Sequence, residues 1–216
     1  MIITKTPFRM SFVGGGSDLG SFYRDHGGAV LSTSIDKFVY IIIKERFEEG
    51  FRVSYSKTEN VKNVLEIEHP IVRNAMQLMN IEGNIEIVSI ADIPSSGTGL
   101  GSSSSFAVGL VNALSIFNQT SIGKKRLAED ACKLEIELCG SPIGKQDQYA
   151  ASYGGLKVYR FNQDESVSVE KVNITAKIEQ KLNTELMTFY IGGQRDANSI
   201  LAVQQDELKL SDKINL

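Results

Sequence analysis

The chain has 216 residues and is 42% hydrophobic, which is enough for one substantial core, or for one domain and part of a second. With 23 Lys and Arg against 26 Asp and Glu, its net charge of -3 provides no electrostatic footprint for nucleic acid and no polybasic stretch for an anionic membrane. Any phosphate-bearing ligand must therefore be held by local structure.

The cysteines and histidines show no pattern of a disulfide framework or a metal site. Cys132 and Cys139 lie in one predicted helix, and His26 and His69 lack the spacing of metal ligands. The N-terminal segment has no basic region followed by an apolar run, and no apolar stretch reaches the length of a membrane span. These features predict a cytoplasmic protein without a membrane or nucleic-acid partner.

Segments rich in β-branched and aromatic residues are interspersed with segments of helical periodicity. The predicted strands are Ile2 to Thr4, Phe38 to Lys44, Phe51 to Tyr55, Ile85 to Ile90, Lys157 to Phe161 and Leu186 to Ile191. The predicted helices are Ile71 to Asn80, Ser103 to Asn118, Lys124 to Cys139 and Ala197 to Leu210. Strands clustered first and helices interleaved later favour an α+β sheet over a regular βαβ winding.

A polar stretch over residues 162–183 precedes the last predicted strand and helix and is a weak candidate for a domain boundary. One strand and one helix cannot bury an independent core. They are therefore expected either to pack on the first domain or to begin a second one.

The first strand leads into a triple glycine followed by an acid, Gly14-Gly15-Gly16-Ser17-Asp18. Such a turn lets the backbone approach a ligand closely. Asp18 suits the recognition of sugar hydroxyls, and Arg9 suits a bidentate contact with a carboxylate. The alternative interpretation is a glycine hairpin with solvated Asp and Arg side chains.

A second glycine-rich segment, Pro94 to Ser105, joins a predicted strand directly to a predicted helix. Alternate glycines allow close backbone approach, and the helix start adds unpaired N–H groups and about half a positive charge. This combination predicts a phosphate cradle, although a flexible loop with helix-capping serines is the alternative. The residues assigned to nucleotide binding are Pro94, Gly97, Gly99, Leu100, Gly101, Ser102, Ser103 and Ser104.

Two familiar phosphate motifs do not fit this segment. A Walker loop requires Lys after its last glycine, where this chain has Ser102. A dinucleotide fingerprint requires different glycine spacing and an acid about twenty residues further on, where residues 116–120 contain none. The segment therefore indicates a different kind of nucleotide site.

Two carboxylates near a helix end are candidates for chemistry. Glu135 lies beside the inward face of its predicted helix, and Asp147 follows the helix end at Gly140. Taken singly, Glu135 is read as a carboxylate on the surface of a helix, and Asp147 as a helix cap or a turn former. Twelve residues apart across the helix end, one suits Mg²⁺ and the other an acceptor hydroxyl, as phosphoryl transfer requires. Lys145 suits the neutralisation of negative charge that develops during phosphoryl transfer. A lysine side chain exposed to solvent is an equally consistent interpretation of this position.

Together, these segments resemble the motifs of the GHMP kinases, the superfamily of galactokinase, homoserine kinase, mevalonate kinase and phosphomevalonate kinase. Pro7-x-Arg9 through Asp18 resembles the first family motif. Pro94 through Ser104 resembles the second, P-x-x-x-G-L-G-S-S. Gly140 through Asp147 is similar to the segment that carries the catalytic aspartate. The resemblance covers about residues 1 to 160.

Within the superfamily, the triple-glycine segment and residues 141–149 most resemble bacterial D-glycero-D-manno-heptose 7-phosphate kinases. The resemblance implies transfer of the γ-phosphoryl group of ATP to the anomeric hydroxyl of a heptose 7-phosphate. It implies a domain like domain 2 of ribosomal protein S5, followed by a ferredoxin-like domain. We thus expect an ATP-binding and catalytic domain at 1–180 and the beginning of a truncated C-terminal domain at 181–216.

The resemblance also implies roles for individual residues. Asp147 resembles the base or acceptor-orienting acid, with Arg9 as its charge partner. Glu135 and Ser103 or Ser104 resemble the Mg²⁺ ligands. The residues assigned to substrate binding are Gly15, Gly16, Ser17, Asp18 and Lys145.

Other functions remain open from the sequence. A GHMP kinase for fucose, galactose, mevalonate or homoserine would share the phosphate loop and differ in the acceptor pocket. A non-catalytic nucleotide- or sugar-binding protein is a further alternative, since the third glycine-rich family motif is not found before Leu216. The sequence disfavours a protein kinase, because no V-A-I-K, H-R-D or D-F-G element occurs. The oligomeric state is open and includes a homo-oligomer.

Overall fold

The computed structural model describes residues 1–94 and 98–189, which form a sheet with helices packed against one face. The strands are β1 (Ile2–Val13), β2 (Gly28–Glu45), β3 (Phe51–Ser54), β4 (Thr58–Val61), β5 (Ile85–Ala91), β6 (Lys157–Phe161) and β7 (Val167–Lys171). The helices are α1 (Gly20–His26), α2 (Pro70–Leu78), α3 (Ser102–Phe117), α4 (Lys124–Cys132), α5 (Gln146–Tyr153) and α6 (Ala176–Glu185). A 3-10 turn covers Val64–Glu66, and a π-helical segment, Lys133–Leu138, continues α4.

The long strand β2 organises the sheet, whose order is β4-β3-β5-β2-β6-β7 with β1 also paired to β2. Its first half pairs with β6 and its second half with β5, both antiparallel. Only the β3–β5 pairing within the described residues is parallel. This arrangement is the mixed sheet expected for an α+β protein.

A register shift in the β1–β2 pairing lies between Pro7 and Arg9. Proline has no N–H to donate to the ladder, so a bulge at this position is the expected accommodation. Bulges bend a strand and redirect its side chains. Arg9 therefore leaves the regular alternation of β1 at the point where the candidate site begins.

Alternation along the strands buries one face of the sheet beneath the helices. The main core contains buried apolar residues of the strands and of helices α2, α3 and α4, namely Phe8, Ile41, Ile43, Val53, Val72, Met76, Ile85, Ile87, Leu110, Val111, Leu114 and Leu127. Gly109 on α3 allows close approach to β1, since a Cβ there would lie 2.8 Å from Thr6 Oγ1. This contact fixes α3, and hence its N-terminus, against the sheet.

The structure extends several predicted elements. The first strand continues to Val13 and the second begins at Gly28, because polar residues in these segments still pair within the sheet. Strands β4 and β7 and helices α1, α5 and α6 were not predicted from the sequence. The polar stretch at residues 162–183 contains β7, which pairs with β6 at the edge of the sheet. Because an edge strand is open to solvent, its exposed side chains are polar.

The predicted strand from Leu186 to Ile191 is wrong over residues 186–189. These residues follow α6 without forming a strand, and Met187 and Phe189 are largely exposed. The remainder of that strand and the predicted helix from Ala197 to Leu210 lie outside the described residues. The division into domains at 1–180 and 181–216 stays a prediction.

Candidate active site

An ion pair between β1 and α5 lies at the centre of the candidate site. Arg9 Nε is 2.6 Å from Asp147 Oδ1, and Arg9 Nη2 is 2.8 Å from Oδ2, which makes the contact bidentate. The two side chains are 13% and 21% exposed, so the pair is shielded but remains open on one side. A bidentate guanidinium fixes both the position and the orientation of a carboxylate. Asp147 is therefore a preoriented acid.

The glycine–serine loop contacts the same arginine. Arg9 Nη1 donates to the Gly99 carbonyl at 2.5 Å, and the Arg9 backbone N–H donates to the Leu100 carbonyl at 3.1 Å. Gly101 has a φ of +73° and would place a Cβ 3.2 Å from Asp147 Oδ2. Only glycine combines that backbone conformation with so close an approach. The loop is thus joined directly to the Arg9–Asp147 pair.

Helix α3 begins immediately after this loop, and Gly101 provides no side-chain cap for it. The first-turn N–H groups of a helix have no carbonyl partner within the helix, and they attract anions. The predicted cradle residues from Gly99 to Ser104 are therefore gathered around an uncapped helix start. Pro94 ends the preceding described segment, and Gly97 lies outside the described residues.

Glu135 lies beneath this helix start and is fully buried. It accepts hydrogen bonds from Ser103 Oγ and from Gln148 Nε2, each at 2.6 Å, and Ser104 also bonds to it. Burial raises the pKa of Glu135 above its ordinary value, even though these three donors favour the ionised form. Its π-helical segment is a kind of local widening found often at functional sites.

The residues around Glu135 fit a Mg²⁺ ion bound together with phosphates. Magnesium prefers oxygen ligands and uses one or two protein carboxylates plus substrate phosphates and water. Ser103 Oγ and the Glu135 carboxylate provide adjacent oxygens, and Ser103 is exposed towards the loop. No group of three or more His, Cys, Asp or Glu residues suited to a metal occurs in the described ranges. An ion here would therefore depend on the phosphates.

The triple-glycine turn, which we call the glycine loop (residues 14–18), is held by Asp18. This side chain is 2% exposed. Asp18 accepts hydrogen bonds from the Gly16 and Gln146 backbone N–H groups and from Gln146 Nε2, at 3.1, 3.1 and 3.0 Å. Burial raises its pKa despite the bond from the Gln146 backbone. Asp18 thus connects the glycine loop to the residue before Asp147, and its direct contact with a sugar stays a prediction.

Lys145 is directed away from the Arg9–Asp147 pair. Its Nζ lies 2.5 Å from a carboxylate oxygen of Glu165, in the turn between β6 and β7. Its backbone N–H donates to the Asp18 carbonyl at 3.3 Å, so it still borders the glycine loop. Gly15, Gly16 and Ser17 form the remainder of that loop, and Ser17 Oγ donates to the Gly14 carbonyl.

A cavity of about 400 Å³ opens beside the start of α3. Ser102 and Ser103 form one end, and His69, Tyr55 and Phe106 form an aromatic wall. The His69 ring stacks on Phe106 at 5.1 Å and meets the edge of Tyr55 at 4.8 Å. Burial lowers the pKa of His69, which favours the neutral imidazole. The cavity therefore offers a flat, largely uncharged surface next to the phosphate cradle.

The structure brings together most of the predicted site residues and adds several that the sequence did not indicate. Hydrogen bonds join Arg9 to Asp147 and Gly99, and a further one joins Ser103 to Glu135. The charge of Asp147 contributes to the raised pKa of Glu135, after the larger effect of burial. Residues missed by sequence analysis are Gln146, Gln148, Glu165, Tyr55, His69 and Phe106. The alternation of Gln and Asp at 146–148 was an available signal, whereas the aromatic wall and Glu165 have no local pattern.

Among the helices described, none has the length and apolar character needed to cross a bilayer.

Comparisons with known proteins agree with this geometry. Residues 61–155 match the family described as "GHMP kinases N terminal domain". A D-glycero-alpha-D-manno-heptose 7-phosphate kinase of Campylobacter jejuni is 24% identical over 242 residues, covering 99% of this chain and 71% of that protein. A bifunctional fucokinase/GDP-fucose pyrophosphorylase of Arabidopsis thaliana is 26% identical over 236 residues, covering 96% of this chain and 22% of that protein.

A solved structure of a D-glycero-D-manno-heptose 1-phosphate kinase from Bacteroides thetaiotaomicron superposes with a TM-score of 0.77 at 26% identity. The match covers 84% of this chain and 63% of that chain, so this chain spans less than two thirds of that structure. The likeness confirms the predicted mixed α/β fold. The finer description, an S5-like domain followed by the start of a ferredoxin-like one, stays a prediction.

Proposed function

Residues 61–155 match the N-terminal domain of the GHMP kinases, and on that premise we propose that the chain transfers the γ-phosphoryl group of ATP to a hydroxyl of a phosphorylated sugar. The observation that carries the proposal is the position of Asp147. Its carboxylate is fixed by Arg9 and lies against Gly101, directly before the uncapped start of α3. An acid that can orient a hydroxyl is thus adjacent to a cradle that can hold phosphates.

Asp147 acts on the acceptor hydroxyl. Each carboxylate oxygen accepts one hydrogen bond from Arg9 and retains a lone pair for a further donor. The acceptor hydroxyl donates its hydrogen bond to one of these oxygens, which directs a lone pair of the hydroxyl oxygen towards the γ-phosphorus. As the new P–O bond forms, the bond from the γ-phosphorus to the β,γ-bridging oxygen breaks, ADP leaves, and Asp147 receives the proton of the hydroxyl. Arg9 keeps the carboxylate in place and offsets its charge throughout.

The cradle holds the phosphates of ATP. Backbone N–H groups of the first turn of α3 contact phosphate oxygens, and the glycine positions keep side chains out of their way. Ser103 and Glu135 would hold Mg²⁺, and the ion would supply positive charge against that of the phosphates. Ser104 and Gln148 keep the Glu135 carboxylate directed towards Ser103.

The aromatic cavity takes the base of the nucleotide. A planar base suits the flat wall of His69, Tyr55 and Phe106. His69 Nδ1 is buried and has no hydrogen-bond partner among the described residues, so it can pair with a polar edge of the base. The Glu59 carboxylate accepts from Tyr55 Oη at 2.7 Å and from the His69 backbone at 3.3 Å, which fixes this wall.

Filling this cavity is expected to weaken ATP binding selectively. Ala91 lines the cavity at the end of β5, so Ala91→Trp places an indole where the base would lie. We expect the KM for ATP to rise about tenfold or more, while the KM for the acceptor stays unchanged. Ile90→Trp is the matched control, because Ile90 faces away from the cavity and is 55% exposed. Equal effects of the two variants on ATP would contradict the base site.

The acceptor is proposed to be D-glycero-D-manno-heptose 7-phosphate. The support is the similarity of the chain to the D-glycero-alpha-D-manno-heptose 7-phosphate kinase of Campylobacter jejuni, together with the structural match to a heptose phosphate kinase. Fucose is the second candidate, since the fucokinase of Arabidopsis thaliana also matches. Both are polyols and suit a loop of backbone amides and small polar side chains.

The test is release of ADP from Mg·ATP, coupled to a spectroscopic readout, with D-glycero-D-manno-heptose 7-phosphate, fucose, galactose, mevalonate and homoserine as acceptors. Turnover on the heptose phosphate at least tenfold above the others, and above ATP alone, is the expected result. Preference for another acceptor would replace the heptose and retain the kinase. Binding of ATP without turnover on any acceptor would favour the non-catalytic binding protein.

A further inference from the structure

A cluster of charged side chains borders the glycine loop on the side of α1. Glu165 lies in the β6–β7 turn and accepts hydrogen bonds from Lys145 Nζ at 2.5 Å, from Arg24 Nε at 2.5 Å and from Tyr23 Oη. Lys145 Nζ also lies 4.9 Å from the centre of the Tyr23 ring. The cluster therefore joins three separate parts of the chain through one carboxylate.

Two cations of the cluster share one carboxylate, since Lys145 and Arg24 both contact Glu165. Partial burial would raise the pKa of Glu165, but hydrogen bonds from Lys145, Tyr23 and Arg24 outweigh it and lower the pKa to about 2. The carboxylate is thus ionised at neutral pH. The neighbouring Asp164 carboxylate does not join these contacts and accepts from the backbone N–H and the hydroxyl of Ser166.

The donors of the cluster are also accessible. The side chain of Arg24 is 61% exposed and that of Glu165 is 45% exposed, whereas Lys145 is more enclosed at 18%. Among the described residues, the guanidinium of Arg24 donates to Glu165 through Nε, which leaves its terminal nitrogens available. Lys145 Nζ donates to the Glu165 backbone carbonyl at 3.3 Å as well as to its carboxylate, which uses two of its three N–H donors. An anion arriving from solvent therefore meets directed donors.

The hairpin turn determines where the Glu165 side chain lies. Glu165 has a φ of +70°, and its backbone N–H donates to the Asn162 carbonyl at 3.1 Å, while the Asn162 N–H donates to the Ser166 carbonyl at 2.9 Å. A left-handed residue at this point is a regular feature of hairpin turns. The turn therefore presents the carboxylate towards Lys145, Arg24 and Tyr23.

The cluster lies beside the region where the acceptor would bind. Lys145 comes two residues before Asp147, and its backbone N–H bonds to Asp18 of the glycine loop. Helix α1, with Tyr23 and Arg24, follows the same loop directly. A sugar lying along the loop would present one end to Asp147 and its other end to the cluster.

We propose that Lys145, Arg24 and Tyr23 bind the phosphate group carried by the acceptor, and that Glu165 positions their side chains for it. This inference rests on the proposed function, because it assigns the part of the site that recognises a phosphorylated sugar. Glu165 holds the three donors together in the absence of the phosphate. When the phosphate binds, the cations contact both anions, and their positive charges favour a phosphorylated over a neutral acceptor.

The test compares two acceptors that differ only in the phosphate, D-glycero-D-manno-heptose 7-phosphate and the same heptose without it. For Lys145→Met and Arg24→Gln, we expect the KM for the phosphorylated sugar to rise about tenfold. The KM for the unphosphorylated sugar and the KM for ATP should remain within about twofold of the unaltered protein. Glu165→Gln retains one acceptor oxygen, and its NH₂ group would face either Arg24 or the pair Lys145 and Tyr23, so the loss of positioning should raise the KM for the phosphorylated sugar about threefold.

Arg160→Gln is the matched control, since it breaks an ion pair with Glu170 on the same β-hairpin, with a 2.7 Å contact, away from the cluster. It should change neither KM. If Lys145→Met and Arg24→Gln weaken both sugars equally, or neither, the cluster only braces the hairpin and the proposal is wrong. Thermal unfolding of each variant identifies one that fails to fold, and Lys145→Arg then replaces Lys145→Met, with an expected KM within threefold.

Failure of the proposed function would have a different signature. If the unaltered protein phosphorylates neither heptose, the kinase assignment to heptose fails, and the cluster is tested by titration with inorganic phosphate monitored by phosphorus NMR. Phosphate binding that weakens about tenfold in Lys145→Met, in the presence of saturating ADP, supports the site. Binding of phosphate that is the same in both proteins, or absent from both, overturns it.

Discussion

Replacing Asp147 with Asn is expected to lower kcat by about 10²- to 10⁴-fold while ATP binding is retained. The amide cannot take a proton from the acceptor hydroxyl, and its NH₂ group would face one of the two donors of Arg9 that now contact carboxylate oxygens. The nucleotide cradle on α3 is left intact, because its N–H groups belong to the backbone. Steady-state ADP release and titration with a fluorescent ATP analogue measure the two quantities separately.

The control for this variant is Glu137→Gln, which removes an exposed carboxylate from the neighbouring π-helical segment. It should leave kcat within about twofold, as expected for a surface substitution. Turnover of Asp147→Asn at the rate of the unaltered protein would remove Asp147 from the mechanism. Loss of ATP binding in the same variant would show instead that the Arg9–Asp147 pair maintains the loop from Gly99 to Gly101.

Replacing Gly144 with Ala is expected to lower the free energy of unfolding by about 3 kcal/mol. A Cβ on Gly144 would lie 1.9 Å from Asp18 Oδ2 and 2.8 Å from the Asp18 backbone oxygen. Asp18 cannot move aside easily, because Gly16 and Gln146 hold its buried carboxylate. Chemical denaturation monitored by circular dichroism measures the change, and activity should fall with it because the glycine loop is displaced.

Gly123→Ala is the matched control for Gly144→Ala. Gly123 precedes α4 with an ordinary φ of -74°, and a Cβ there would meet nothing within 4 Å. This variant should change the free energy of unfolding by less than about 1 kcal/mol. Combining Asp18→Ala with Gly144→Ala should cost less than the sum of the single changes, because removing the carboxylate relieves the closest contact. Strict additivity would contradict the steric explanation.

Local features of the sequence determined a large part of the fold and of the site. The glycine–serine segment lies between a strand and a helix, as its composition predicts. The backbone freedom of glycine and the unpaired N–H groups of a helix start are local properties, so they do not depend on the rest of the fold. Glu135 is buried, as its position beside the inward face of the helix indicates, and Asp147 lies against Gly101 before the start of α3. The roles of both residues stay predictions. The strands β3, β5 and β6 coincide closely with apolar β-branched runs.

Contacts between distant segments were decided only by the tertiary structure. Arg9 and Asp147 are separated by 138 residues, and the bulge after Pro7 determines that their side chains meet. The aromatic wall of His69 and Phe106 forms because α2 and α3 pack side by side on the sheet. Glu165 stands in a polar turn like many others, and its role depends on which three side chains the fold brings to it. Sequence patterns report the local backbone, whereas these contacts depend on strand register and helix packing, which combine residues far apart along the chain.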